Sequence, residues 1–407
     1  MKGKAPSLPP WAADLKERAL ALTEEVTALR RDFHRHPELS HQEERTARVV
    51  TAYLQNLGLK VTTGLAGHGV MGLLDGPRPG RAVVYRADMD ALPLTEAVPV
   101  PWRSQSPGVM HACGHDFHLA IALGAAKLLS QFRDRLAGQV RFIFQPAEEV
   151  PRDESSGARG MVAAGVLEHP RAAAVLALHV APNLDAGHVQ CGPEVVMAGA
   201  YRLTLTVTGK SAHGATPHKG VDPILAAAQA LTQIQGFLAQ RLDSRHPVVL
   251  TFGRIAGGSR FNILADKVVL EGSLRYLEER VGQNVLEGLR KQFAGLSRAS
   301  GAQIDLAAEP IYPVLHNDPD LSKRAMAVLG RLLGPERLKP HRPAMGSEDF
   351  SYYAARAPAF YFFLGVRTPG RKGQALHSPD FNPDEGALPW GVLAAAGLMA
   401  ALAGDEG

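Results

Sequence analysis

The sequence is poor in cysteine, with only Cys113 and Cys191 among its 407 residues. It contains no C-x-x-C pair, which argues against a structural zinc site whose ligands lie close together in the chain. The N-terminal stretch has no continuous apolar core of the signal-peptide type. We therefore expect a cytoplasmic location, reduced thiols and no disulfide between the two cysteines.

The sequence also lacks the features typical of membrane proteins and of nucleic-acid-binding proteins. No run of eighteen apolar residues is present, so we expect no membrane segment. The net charge is only +4 and no Lys/Arg block stands out, so we expect no nucleic-acid partner. The composition, with 45% hydrophobic and 21% charged residues, is ordinary for a globular protein. The length predicts two domains, or one domain with a large insertion.

Strand and helix patterns alternate in the first half of the chain. Apolar spacing predicts one amphipathic helix from Trp11 to His36. Further along, "RAVVYRADMD", "QVRFIFQPAEE" and "AAVLALHVAP" predict buried strands that end in polar residues, the third at His179, with helical segments between them. Such alternation is typical of an α/β domain with a central, mostly parallel sheet.

The pattern changes after about residue 195. From there to about 310, the order strand, helix, strand, strand, helix, strand predicts an inserted α+β module of the ferredoxin-like type. Helix, buried strand and helix then return. We therefore predict a catalytic domain built from 1–194 and 311–407 and interrupted by an inserted domain, 195–310.

The stretch "MHACGHDFH", Met110 to His118, concentrates groups that can bind metal. Similar groups follow predicted strands, where functional side chains of open α/β sheets collect: Asp88, Asp90, Glu148, Glu149, His179 and His377. Thiolate, imidazole and carboxylate ligands suit zinc and tolerate manganese or cobalt. Two adjacent glutamates suggest that one binds metal while the other serves as a base, which is hydrolytic chemistry. Each signal alone is weak, because a Glu pair is usually solvated and a lone His usually structural. Their shared placement at strand ends favours a catalytic site.

Seven motifs resemble, in order, those of the metal-dependent amidohydrolases: "YRADMDALP", "MHACGHDFHLAIALG", "FQPAEE", "ALHV", "GKSAHGATPH", "MGSEDF" and "LHSPDF". This family includes thermostable carboxypeptidases, hippurate hydrolases, aminoacylases and plant auxin-conjugate amidohydrolases. The resemblance runs from about Leu29 to Leu402. It implies a zinc-peptidase-like catalytic domain with two divalent metal ions (zinc, manganese or cobalt), an inserted lid or dimerisation domain, and a homodimer or homotetramer.

The resemblance also implies roles for individual residues of the catalytic domain. Glu148 matches the general base, and Asp88 matches a carboxylate that orients a histidine ligand. Arg86 stands where distant relatives have a metal-binding histidine, which would make His115 the replacement. Asp116 and His118 are interpreted as local supports. The implied metal ligands, with Cys113 as a candidate bridge, are Cys113, His115, Glu149, His179 and His377.

In the inserted domain, His213 matches a histidine that reaches across the dimer to the substrate carbonyl. Asn262 and Arg275 match polar positions associated with substrate binding, although Arg275 is equally well interpreted as a solvated strand residue. Relatives commonly have Asn-Val-Ile-Pro where this chain has "NILA", so the loop that holds Asn262 lacks their proline. His218 is better interpreted as structural.

The sequence therefore predicts a dinuclear metal-dependent hydrolase that cleaves the amide bond of N-acyl amino acids. A metallocarboxypeptidase acting on short or N-blocked peptides is the alternative within the same chemistry. A catalytically silent carboxylate-binding protein on the same scaffold is the alternative from another class. The intact Glu148 and the full ligand set argue against this last hypothesis.

Overall fold

The structure is a computed structural model that describes residues 8, 10–150 and 156–404. The chain divides into two compact units. Unit 1 contains Met1–Val196, His316–Arg342 and Asp349–Gly407, and unit 2 contains Met197–Leu315 and Pro343–Glu348. The units are groups of residues that pack together. Unit 2 includes a short segment, 343–348, that lies outside the predicted insertion. The division into catalytic and lid domains stays a prediction.

The helices and strands are numbered in chain order. The helices are α1 Ala12–Ala21, α2 Thr23–Arg35, α3 Glu44–Asn56, α4 His115–Ser130, α5 Gly157–Ala163, α6 Pro223–Arg241, α7 Glu279–Ser300, α8 Pro319–Leu333, α9 Ser351–Ala354 and α10 Leu388–Ala403. The strands are β1 Lys60–Leu65, β2 Gly69–Asp75, β3 Arg78–Asp88, β4 Ala137–Gln145, β5 Ala174–Asp185, β6 Val189–Cys191, β7 Glu194–Met197, β8 Gly199–Thr208, β9 Val248–Gly257, β10 Lys267–Tyr276, β11 Gln303–Tyr312, β12 Leu315–Asn317, β13 Leu338–Pro340 and β14 Ala359–Arg367.

An eight-stranded sheet, in the order β1-β2-β4-β3-β5-β14-β6-β13, forms the centre of unit 1. Its middle strands β4, β3, β5 and β14 run parallel to one another. At one edge, β1 and β2 run antiparallel. The parallel strands are apolar and buried over most of their length because helices cover both faces of such a sheet. The predicted α/β class with a mostly parallel central sheet is confirmed.

Two helices, α4 and α10, lie in the core of unit 1. Fourteen of the sixteen residues of α4 are buried. A Cβ atom on Gly124 would come within 2.7 Å of Val392 and 2.8 Å of Val26, so the small residue permits close helix contacts. The stretch Glu385–Ala403 is long and apolar enough to cross a membrane, but 89% of its most apolar window is buried in the protein. This stretch packs as a core helix.

Two local predictions are wrong. The predicted helix from Trp11 to His36 is two helices, separated at Leu22. The Thr23 hydroxyl donates a 2.6 Å hydrogen bond to the Leu20 carbonyl, which competes with the helical backbone bonds. His179 lies within β5 rather than at its end. Because β5 pairs with β3 only as far as Ala177, the sheet opens between these strands next to His179.

Unit 2 contains the order β8, α6, β9, β10, α7, β11. Its four strands form an antiparallel sheet in the order β11-β8-β10-β9. This is the ferredoxin-like arrangement that the sequence predicts. Asp222 caps α6, since its carboxylate accepts hydrogen bonds from the backbone N–H groups of Ile224 and Leu225. Strand β9 lies at one edge of the sheet.

Candidate metal centre

The tight turn before α4 brings Cys113 and His115 to the carboxyl edge of the parallel strands. Gly114, between them, has a φ of 85°, in the left-handed region that favours glycine. A Cβ atom at this position would lie 2.5 Å from the Val180 side chain. The backbone N–H of His377 donates a 2.9 Å bond to the Ala112 carbonyl. The turn and the His377 loop are therefore fixed against each other.

The five predicted ligands of unit 1 lie together. The Sγ atom of Cys113 is 3.3 Å from His179 Nε2. The Oε1 atom of Glu149 is 3.3 Å from His377 Nε2 and 3.9 Å from His115 Nε2. The ligand atoms of Cys113, His115 and His179 lie within 4.8 Å of one another, as do those of Cys113, Glu149 and His377. Cys113 belongs to both sets, as a bridging ligand would.

The predicted base lies beside these donors. The ligand atoms of His115, Glu148 and Glu149 lie within 4.8 Å of one another. The preceding residue, Ala147, has a φ of 52°, which residues with a Cβ atom adopt rarely. The sharp turn after β4 therefore brings both glutamates to the cluster.

The donor atoms pass a test of fit for a divalent cation. His115 is fully buried, and its Nε2 has no hydrogen-bond partner in the described part of the chain. Its Nδ1 donates a 2.8 Å bond to the Asp90 carbonyl, so the neutral ring has its Nε2 lone pair available for a ligand bond. Sulfur, imidazole and carboxylate donors suit zinc, manganese or cobalt.

The pKa values reveal an excess of negative charge around these donors. Burial alone would lower the pKa of His115, but the charges of Asp88, Asp90 and Glu149 outweigh burial and raise it to about 10. Burial and then the Glu149 and Glu148 carboxylates raise the pKa of the Cys113 thiol well above its usual range. A divalent cation would balance this potential and favour the deprotonated ligands.

Asp88 and Asp90 hold different histidines beside the cluster. The Oδ1 of Asp88 accepts a 2.6 Å bond from His118 Nδ1, while the Nδ1 of His115 is held by Asp90. Asp88 Oδ2 also lies 3.6 Å from His115 Nε2, so the role predicted for Asp88 in orienting a ligand histidine stays a prediction. His118 Nε2 accepts the backbone N–H of Val180 at 3.1 Å, so both ring nitrogens are already bonded.

Arg86 lies buried beneath the cluster. Its guanidinium donates to Asp88 Oδ2 at 2.6 Å, to Asp349 Oδ1 at 2.9 Å and to Gln145 Oε1 at 2.9 Å. Burial alone would raise the pKa of Asp88, but Arg86, His115 and His118 hold it well below its usual range. Arg86 thus keeps Asp88 ionised and supplies no ligand atom.

Asp116 and His34 form a second buried polar group next to α4. Asp116 Oδ2 lies 2.8 Å from Arg30 Nε and accepts a 2.8 Å bond from His34 Nδ1. Burial alone would raise the pKa of Asp116, but Arg30 and His34 hold it well below its usual range. Asp116 thus fixes the first turn of α4 to α2.

The predicted residues of unit 2 lie at two places. His213 and Asn262 lie on adjoining exposed loops, joined by a 2.8 Å bond from the Gly214 N–H to the Asn262 carbonyl. Arg275 lies on β10 opposite Ala200 and donates to the Met345 carbonyl and to the Ser347 hydroxyl. Lys267, at the other end of β10, pairs with Thr208, the last residue before the His213 loop. At ~3.4 Å per residue, Arg275 is about 27 Å along the strand from that end.

The sequence reasoning missed two acids. Asp90 follows a predicted strand, but its position in the sequence indicates no particular role. Glu43 had no signal, since it stands in the charged sequence "HQEER" at a helix start. Their contacts with the Glu148–Glu149 turn come from distant parts of the chain and leave no local pattern.

Comparisons with known proteins agree with this geometry. The profile of Peptidase family M20/M25/M40 matches residues 84–401. Thermostable carboxypeptidase 2 of Saccharolobus solfataricus is 35% identical over 386 residues, covering 94% of this chain and 96% of that protein. N-acetylcysteine deacetylase of Bacillus subtilis is 34% identical over 361 residues, covering 88% of this chain and 92% of that protein.

A solved structure is similar over nearly the same length. It is the Bacillus subtilis YXEP protein, described as a dinuclear metal binding peptidase from the M20 family. Its TM-score is 0.83 at 32% identity, and the match covers 94% of this chain and 99% of that chain.

Proposed function

The chain belongs to Peptidase family M20/M25/M40 and is a metal-dependent hydrolase, and from this premise we propose that it cleaves the amide bond of N-acyl amino acids. One observation supports the proposal most strongly. Cys113 belongs to two sets of metal donors, and Glu148 lies beside these donors. The similarity to an N-acetylcysteine deacetylase supports an N-acyl amino acid as substrate.

We assign the metal ligands as Cys113, His115, Glu149, His179 and His377. The similarity to a dinuclear metal binding peptidase supports two ions per subunit, and Cys113, which belongs to both donor sets, would help to hold them. When bound, divalent ions polarise the amide carbonyl and lower the pKa of water. Both cysteines are free and buried, which supports a reducing, cytoplasmic location.

Glu148 is the proposed general base. It accepts a proton from the attacking water and then delivers that proton to the nitrogen of the leaving amine. A carboxylate can do this only within hydrogen-bond reach of the water, which its place beside His115 and Glu149 supports.

His213 is the proposed oxyanion donor. Its Nδ1 accepts the backbone N–H of Ala215 at 3.1 Å, so the neutral ring carries its proton on Nε2. An N–H at this position can stabilise the negative oxygen of the tetrahedral intermediate. Asn262, on the adjoining loop, would bind the same end of the substrate.

Arg275 is the proposed partner of the substrate carboxylate, since its planar fork matches a carboxylate. Within one unit 2, Arg275 lies about 27 Å along the strand from the end that leads into the His213 loop. A single N-acyl amino acid cannot reach that far. The separation therefore supports a homodimer or homotetramer in which His213 and Arg275 of one subunit serve different active sites.

Unit 2 carries apolar surface that an assembly could cover. Ile224 and Leu225 on α6 and Ile255 on the edge strand β9 are more than half exposed, and Phe261 is fully exposed. Isolated apolar residues at a surface are ordinary, but several on one unit favour a protein interface. The exposed apolar side chains of unit 2 thus support its proposed role in dimerisation.

The test is turnover by metal-reconstituted protein of a substrate panel in which acyl group and amino acid vary separately. We expect hydrolysis of N-acyl amino acids, its abolition by a chelator and its recovery with zinc, manganese or cobalt. The similarity to a thermostable carboxypeptidase favours peptides as a second substrate class. Faster cleavage of N-blocked dipeptides would identify that activity as the main one. Binding of these compounds without their hydrolysis would instead support a catalytically silent carboxylate-binding protein.

A further inference from the structure

The segment between α2 and α3, residues 36–43, passes behind the loops of the metal centre. Leu39 forms a parallel β-bridge with Ala91, and the Ala91 N–H donates a 2.8 Å bond to the Glu38 carbonyl. The segment is therefore fixed to the chain that follows β3. None of the predicted metal ligands lies in this segment. Its contacts with the centre must therefore have a purpose other than metal binding.

Asp90 joins this segment to two predicted ligands. Its Oδ2 accepts a 2.7 Å bond from the Ser40 hydroxyl and a 2.9 Å bond from the Glu149 backbone N–H. Its backbone carbonyl accepts the Nδ1 proton of His115, and its Oδ1 lies 3.2 Å from the same nitrogen. Asp90 thus accepts hydrogen bonds from the imidazole ring of His115 and from the backbone N–H of Glu149.

Glu43 holds the other side of the same turn. It is fully buried, and its Oε1 accepts a 2.8 Å bond from the Ala147 N–H. Ala147 has the uncommon left-handed backbone, which persists only where the surroundings hold it. Glu148 therefore lies between two backbone N–H groups, and each is bound by a buried carboxylate.

We propose that Glu43 and Asp90 are positioning residues that together hold the Ala147–Glu149 turn, so that Glu148 and Glu149 face the metal centre. The inference rests on the proposed function and adds the source of that orientation. Burying two carboxyl groups next to each other costs free energy unless hydrogen bonds compensate for the lost hydration. Removing either bond would let the turn relax, which would displace the base and the carboxylate ligand together.

The same segment provides a matched control. The Glu38 carboxylate accepts the backbone N–H groups of Arg45 and Thr46 at the start of α3, at 2.9 and 2.8 Å. It makes a helix-end contact of ordinary type. Glu38→Ala should lower Tm without changing the metal centre, whereas a positioning residue should change the centre.

The experiment loads metal-free wild-type, Glu43→Leu, Glu43→Gln, Asp90→Ala, Ser40→Ala and Glu38→Ala proteins with Co²⁺. Calorimetry gives the affinity and stoichiometry, and the visible spectrum of bound Co²⁺ reports ligand geometry. We expect Glu43→Leu and Asp90→Ala to bind Co²⁺ ~10-fold more weakly or worse, with altered spectra, as for other supports of metal ligands. Glu43→Gln keeps an acceptor oxygen and should restore the wild-type spectrum. Ser40→Ala removes one bond to Asp90 and should give a smaller change.

The outcomes separate two failures. Wild-type affinity and spectrum in both Glu43→Leu and Asp90→Ala would overturn this inference alone, as would the same spectral change in Glu38→Ala. If Glu43→Leu or Asp90→Ala does not fold, an unchanged spectrum in Ser40→Ala together with a changed one in Glu43→Gln would overturn it. Failure of the wild-type protein to bind Co²⁺ would overturn the proposed function itself.

Discussion

The chemical groups of unit 1 and those of unit 2 lie in opposite environments. His115 is 0% exposed and Cys113 7%, and the fold of unit 1 alone brings them together. His213 and Asn262 lie on exposed loops, beside a fully exposed Phe261. An oxyanion donor stabilises charge best where water is excluded. Unit 1 thus carries a buried cluster of metal donors, whereas the residues of unit 2 that we propose to act on the substrate are exposed to solvent.

This contrast suggests different consequences of substitution. Changes in unit 1 should alter metal binding or proton transfer within one subunit. Changes at the His213 loop should leave the metal centre intact and affect only the reaction, since the loop has no ligand. Substitutions in each unit therefore test this difference.

Replacement of the base should have the largest effect. Glu148→Gln keeps the size of the side chain but cannot accept a proton, so kcat should fall by ~10²–10⁴-fold. Metal content, measured by atomic absorption, should be nearly unchanged. Near-normal turnover would remove Glu148 from the proposed role.

The His213 variant tests unit 2. His213→Ala should lower kcat by ~10²–10³-fold, as removal of an oxyanion donor does elsewhere. Two metals should remain bound, because no ligand has changed. His218→Ala, in the same exposed loop, is the matched control and should keep its activity. A loss of metal in His213→Ala would contradict the separation between the units.

The two cysteines make a matched pair in unit 1. Cys113→Ser replaces a soft anionic ligand by a neutral hydroxyl, so metal occupancy and activity should both fall. Cys191 is buried away from the ligand sets, and burial raises its pKa to about 12. Cys191→Ser should change neither quantity. Equal metal content in the two variants would exclude Cys113 as a ligand.

Metal binding should release protons and strengthen as pH rises. The pKa of His115 is about 10 in the metal-free protein and that of Cys113 lies well above its usual range, so both groups hold a proton at pH 7. Each must lose it to become a ligand. Calorimetry in buffers of different ionisation enthalpy should therefore detect a release of roughly two protons per protein. Affinity that is independent of pH between 6 and 8 would contradict this account.

The fold could be predicted in its main features because hydrophobic spacing is local. The alternating elements of unit 1 and the ferredoxin-like order of unit 2 both appear in the spacing of apolar residues. The break at Leu22 could not be predicted in this way, because the helical spacing continues across it and the Thr23 side chain decides it. Strand β1, with mostly exposed residues, gave no apolar signal either.

The site was predictable only in part. Glu148, Glu149 and His377 follow predicted strands, so the sequence predicts that they lie at the same edge of the sheet. The structure places them close together. The opening of the sheet beside His179 depends on which strand pairs with β5, which spacing does not reveal. The bond from Glu43 to Ala147 joins residues 104 positions apart, so only the folded chain displays it.

The most direct test of a site shared between subunits is to mix two nearly inactive proteins, Glu148→Gln and His213→Ala. In a mixed dimer, one active site has both defects and the other has neither. After subunit exchange, verified by native mass spectrometry, half of the dimers are mixed at equal ratio, so activity should return to roughly a quarter of the wild-type value. No recovery in a sample that contains verified mixed dimers would mean that His213 acts within its own subunit or only supports the loop.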